Sequence, residues 1–164
     1  MKTKKTAYLG MFLALALVCS YVESLIPFYF GIPGAKLGLT NIVVIILLYQ
    51  AGAKEAFIVS MLRIVLSGFL FGNLFGILYS LFGGLFSFFC MTFLKRTRRF
   101  RVVSVSAAGG VSHNLGQLII ASVIVENWNL LYYFPALLLA GLITGILIGI
   151  AAQEILLRLP SDMD

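Results

Sequence analysis

From Ala56 to Leu94 the chain runs for 39 residues with one charged side chain, Arg63. As a single helix that stretch would be about 58 Å long, about twice the hydrocarbon thickness of a bilayer. It must therefore fold back on itself, and Gly72-Asn73 is where turn chemistry allows it. Composition points the same way: 61% of residues are apolar and 11% charged, against roughly 45–50% and 25% in soluble domains. A chain of 164 residues leaves too large a share of itself exposed to hide that apolar surface in one water-soluble core. A soluble enzyme, a nucleic-acid-binding domain and a disordered tail are excluded. The expected fold is all-α, a polytopic bundle forming a single transmembrane domain over residues 1–164, with the lipid bilayer as its first partner.

Six apolar segments emerge, at about 7–26, 37–53, 55–71, 74–94, 104–125 and 132–157. The N-terminus has the charge-then-apolar shape of a signal sequence, Met1–Lys5 followed by Ala7–Val18. Its apolar run continues past Cys19 to Ile26, long enough to cross a ~30 Å core, so a retained first span is expected. With the N-terminus inside, the inner ends carry Lys2, Lys4, Lys5, Lys54, five basic residues over 95–101, and Arg158, against Lys36 outside. That bias orients the protein with both termini in the cytoplasm, in the plasma membrane. The outer loops instead hold Phe28, Tyr29, Phe30, Trp128, Tyr132 and Tyr133, an interfacial aromatic belt. The formal charge of +6 thus belongs to anionic headgroups rather than to nucleic acid.

Small residues recur at every fourth position: Gly68, Gly72 and Gly76; Ser80 and Gly84; Ala108, Ser112 and Gly116; Gly141, Gly145 and Gly149; and Gly10 with Ala14. On helices such stripes let backbones approach closely, which replaces the hydrophobic effect as the packing force in lipid. Cys19 and Cys90 lie inside apolar runs far apart in sequence, with no disulfide framework and no metal-site spacing between cysteines. They are read as reduced core residues, and no metal or cofactor is expected.

Function is sought among side chains that are expensive to keep in lipid. Arg63 lies nine residues into its span, about 13 Å deep, with Ser60 and Ser67 on the same face. His113 lies at similar depth, with Asn114 beside it and Gln117 one turn further out. Glu23, Lys36 and Asn41 belong to the outer half. Together these residues describe an outward-opening pocket with Arg63 and His113 as a cationic floor, capped by the aromatic loop at 28–30. The competing reading is an internal salt bridge from Arg63 to Glu23 with interhelical hydrogen bonds. A basic floor with amides suits a small anion or a polar heterocycle.

Catalytic signatures are missing from the sequence. There is no paired-carboxylate motif for diphosphate–magnesium complexes, no glycine-rich phosphate loop and no nucleophile–base pair. An enzyme is not expected, nor a nucleotide-driven pump acting alone.

Four ordered motifs carry a family resemblance: Gly34-Ala-Lys-Leu-Gly-Leu-Thr-Asn41, Arg63-x-x-Leu-Ser-Gly-Phe-Leu-Phe-Gly72, Tyr79-Ser-Leu-x-Gly-Gly84 and His113-Asn-Leu-Gly-Gln117. Over nearly the whole chain the sequence resembles the Gx transporter family, often labelled heptaprenyl diphosphate synthase component I. The resemblance extends to the substrate-binding S components of energy-coupling-factor (ECF) transporters. It implies a six-helix, outward-opening binder of a small molecule that docks on a membrane T component with two ATPases. It further implies that Gly10 and Ala14 on the first helix form the docking face. The alternative it leaves is an accessory membrane subunit in isoprenoid, quinone or flavin-linked electron-transfer metabolism. The acidic motifs of prenyl transfer are absent from this sequence.

Overall fold

The computed structural model describes residues 2–26 and 38–159. Among these residues there are six α-helices and no strands. They are α1 (Lys2–Leu25), α2 (Leu39–Gln50), α3 (Ala53–Phe71), α4 (Leu74–Thr97), α5 (Val102–Ile124) and α6 (Phe134–Arg158), with a 3-10 turn over Trp128–Tyr133 leading into α6. The all-α bundle expected from the sequence is what forms. Four helices are long and apolar enough to cross a membrane, namely α1, α4, α5 and α6 with its preceding turn. Helix α3 has 19 residues but carries Lys54, Glu55 and Arg63. Helix α2 has 12 residues, about 18 Å of rise.

The turns follow from local chemistry. Asn73 separates α3 from α4 as the sequence suggests, its side-chain oxygen accepting the Gly76 N–H at 2.7 Å to cap α4. Gly52, at φ +101°, lets α2 reverse into α3 within two residues, a backbone angle that a Cβ would penalise. The Gly68/Gly72/Gly76 series therefore does not form one stripe, because the turn divides it between two helices.

Helix α2 runs through the centre. Val43, Ile45, Leu47 and Leu48 have no exposed surface. Around them pack Phe12 and Ala16 of α1, Ala56 and Val59 of α3, Phe88 and Met91 of α4, Val105 of α5 and Ala152 of α6. Over Val43–Leu48, where it is enclosed, α2 is apolar on every face, as a fully buried helical segment should be. On the outside, large apolar side chains such as Met11, Leu15, Phe69, Phe93, Leu147 and Leu157 are exposed. In lipid this is a solvated surface, not a liability.

Backbone contact joins the last helices. A Cβ at Gly110 would stand 2.4 Å from the Gly141 carbonyl oxygen, one at Gly145 2.7 Å from the Ala107 Cα, and one at Gly149 2.7 Å from the Val103 Cα. The Gly141/Gly145/Gly149 stripe is thus used inside the molecule. The stripe proposed on α5 divides: Gly116 meets the Phe82 carbonyl of α4, whereas the Ser112 hydroxyl donates to the Ala108 carbonyl of its own helix at 2.7 Å. In contrast, Gly10 has nothing within 4 Å of where a Cβ would stand, and Ala14 is exposed on the same side of α1.

The basic residues gather at one end of the bundle. Lys5 pairs with Glu55 at 2.5 Å, joining the starts of α1 and α3. Lys95 donates to the Leu48 carbonyl and lies 5.0 Å over the Tyr49 ring, joining the ends of α4 and α2.

Candidate functional site

Among the described residues two polar regions hold side chains singled out above; Gly38 lines the smaller and donates its N–H to Glu23 of the larger. The larger is a cavity of about 190 Å³ lined by Ser20, Glu23 and Ser24 of α1 with Arg63, Ser67 and Phe71 of α3, closed by Gly72. Arg63, Ser67 and Phe71 recur at four-residue spacing and so share one face of α3. At the edge of the cavity the rings of Tyr21 and Phe71 meet at 5.1 Å between centroids. The Arg63 Nε is buried and has no hydrogen-bond partner among the described residues.

Glu23 is engaged elsewhere. Its carboxylate accepts the Gly38 N–H through Oε1 and the Thr40 hydroxyl through Oε2 at 3.4 Å, and the Thr40 and Ser20 hydroxyls lie 3.1 Å apart. Helix α2 begins at Gly38 without a capping side chain of its own. A carboxylate from α1 fills that role, where the positive end of the α2 dipole favours it. Among the described residues the ion pair within 4 Å is Lys5–Glu55, so Glu23 and Arg63 share a cavity without a contact ion pair.

The second region is a crevice of about 20 Å³ where Asn41 of α2 meets His113 and Asn114 of α5 and Thr144 of α6. It is room for about one water. Asn114 donates through Nδ2 to the Leu137 carbonyl at 2.8 Å, tying α5 to α6 at a buried position. Gln117 lines neither region. It is buried with its Cγ against Gly83 of α4, and the His113 Cε1 approaches the same glycine.

The structure therefore brings Glu23 together with Arg63, and Asn41 together with His113 and Asn114, while Gln117 lies outside both pockets, beside His113 on Gly83. Lys36 and the aromatic loop at 28–30 lie outside the described residues. Gly10 and Ala14 are remote from both regions. Three contributors were not singled out from the sequence: Ser20 and Ser24, three before and one after Glu23, and Thr144, a hydroxyl within an otherwise apolar stretch of α6. Their signal was the local placement of a small polar residue beside a charged or glycine-rich position. Among the described residues no three His, Cys, Asp or Glu side chains come together as metal ligands would.

A scan against protein families matches residues 12–155 to the family described as heptaprenyl diphosphate synthase component I. The chain belongs to that family. The match reaches into all six helices, beginning after Gly10, and includes all four motifs that carried the resemblance to the Gx transporter family. No curated protein matches the chain. Family and structure together describe a membrane-embedded helical bundle with a polar cavity beside a buried arginine.

Proposed function

We propose that this component I protein is a substrate-binding subunit of a transporter, taking up a small anionic molecule from the outer face of the plasma membrane. The observation that carries the reading is Arg63, a guanidinium in a 190 Å³ polar cavity whose Nε lacks a partner among the described residues while the nearby carboxylate is spent on α2. An intramembrane charge without a contact counter-ion is costly unless a ligand or water meets it. A planar guanidinium presents paired donors suited to a carboxylate or phosphate. Ser20, Ser24 and Ser67 supply hydroxyls around it, and the smaller crevice at Asn41, His113 and Asn114 adds further polar groups.

The basic end of the bundle faces the cytoplasm on this reading, which places the mouth of the cavity toward the outside. Catalysis is not its role, and energy for transport comes from partners, an ECF-type T component with ATPases. The exposed Gly10–Ala14 face of α1 is the surface offered to them.

The test is thermal unfolding in detergent against a panel of carboxylates, phosphates, vitamins and flavins. A ligand at 100 times its Kd stabilises the native state by about 2.7 kcal/mol. That gain should vanish in Arg63→Ala, with the unliganded melting temperature unchanged or raised. A ligand that stabilises parent and Arg63→Ala equally would overturn the assignment of Arg63.

The family description favours a second reading, an accessory subunit of prenyl diphosphate synthesis. It predicts prenyl transfer when the protein is mixed with a separate catalytic subunit, and no dependence of that activity on Arg63.

A further inference from the structure

At the basic end of the bundle, α3 and α4 leave a groove of about 690 Å³ between them. Its walls are aromatic: Phe57 of α3 with Phe88, Phe89 and Phe93 of α4. The Phe57 and Phe88 rings meet at 5.2 Å, forming a floor, while Phe89 and Phe93 are 64% and 69% exposed and stand as sides. Two cations hold the mouth, Lys54 in the first turn of α3 and Arg96 in the last turn of α4. Both are exposed. The carboxylate next in sequence, Glu55, is taken by Lys5 at 2.5 Å. The start of α3, with no side-chain cap, adds the positive end of a helix dipole.

An apolar trough entering the hydrocarbon region, with two cations at headgroup level, has the charge and shape of a receptor for a phosphate-headed lipid. The volume lies within the range of specific ligand sites. We propose that this groove binds an anionic phospholipid of the surrounding leaflet, one acyl chain lying along Phe57 and Phe89 and the phosphodiester held between Lys54 and Arg96. The site is separate from the Arg63 cavity and does not depend on its function.

The test is native mass spectrometry of the full-length protein, titrated with phosphatidylglycerol and with phosphatidylcholine of the same chain length. Phosphatidylglycerol is expected to bind more tightly. Each surface cation contributes on the order of fivefold to such binding, so Lys54→Gln/Arg96→Gln should weaken it by about 30-fold. Equal binding of the two lipids, or undiminished binding by the double variant, overturns the proposal. An equal loss in Arg98→Gln/Arg99→Gln, two cations outside the groove, also overturns it by showing a diffuse surface field. Phe89→Ser keeps both cations and should still weaken retention; unchanged retention removes the acyl chain from the groove. Displacement of the lipid by inorganic phosphate would make free phosphate the ligand and overturn the lipid assignment, whereas failure to displace supports it.

Discussion

Replacing Gly110 by alanine should loosen the protein, although alanine is the better helix former. The added Cβ would lie 2.4 Å from the Gly141 carbonyl oxygen and 3.3 Å from the Gly145 Cα, whereas real Cβ contacts essentially never fall below 3.0 Å. Both obstacles are backbone, so no side chain can swing away and α5 must part from α6. The separation needed is more than about half an ångström, and gaps of that size forfeit a quarter to a half of the dispersion attraction along the lining. Overpacking costs about 1–3 kcal/mol, and with both obstacles in the backbone the upper part of that range applies, about 2–3 kcal/mol, against about 1 kcal/mol gained in helix propensity. The net expectation is a loss of about 1–2 kcal/mol. In a chain of this size that lowers the melting temperature by roughly 2–8 °C, measured by thermal unfolding in detergent. Gly10→Ala is the internal control, since nothing lies within 4 Å of its Cβ. It should leave the melting temperature unchanged or raise it by a few degrees. Gly110→Ala melting at or above the parent, or Gly10→Ala falling by as much, would refute close backbone packing as the attachment of α6.

Other consequences are smaller but distinct. Glu23→Gln keeps one oxygen for the Gly38 N–H but sets an amide NH2 where Thr40 donates, and it removes a charge from the start of α2. It should cost about 0.3–1 kcal/mol by thermal melt, and Glu23→Ala should cost more. Asn73→Ala removes the cap of α4 and should cost about 1 kcal/mol, with hydrogen exchange rising first at Leu74–Ile77. A double-mutant cycle on Lys5 and Glu55 should return less than about 1 kcal/mol, falling with added salt, because the Lys5 side chain is 60% exposed.

The helices were legible because length and charge leave few choices. A 39-residue run with one charge has to turn, and an Asn after a Gly is where it can. The composition of the polar sites was less legible. Depth along a helix follows from counting residues, but the neighbour a side chain meets depends on rotation and on which helix lies alongside. His113 and Gln117, four residues apart, share a face and both reach Gly83. Asn114, about 100° further round, points instead to Leu137 on α6. The helical period already separated Asn114 from His113, but it did not say which face was α4 and which was α6. Glu23 illustrates the same limit. Its charge and depth left an ion pair with Arg63 open as the competing reading, whereas the uncapped start of α2 supplies donors that a sequence does not display.

The enclosure of α2 also bears on how the protein is built in the cell. Helix α2, with 12 residues, is about 18 Å long, too short for a ~30 Å hydrocarbon layer on its own. Four of the helices that wrap it, α3, α4, α5 and α6, are made after it. During synthesis α2 and α3 must enter the bilayer as a hairpin whose inner face waits uncovered. The glycine-joined α5–α6 unit arrives after α2 and α3 and closes the wall, so helices made later complete a core that the earlier ones began.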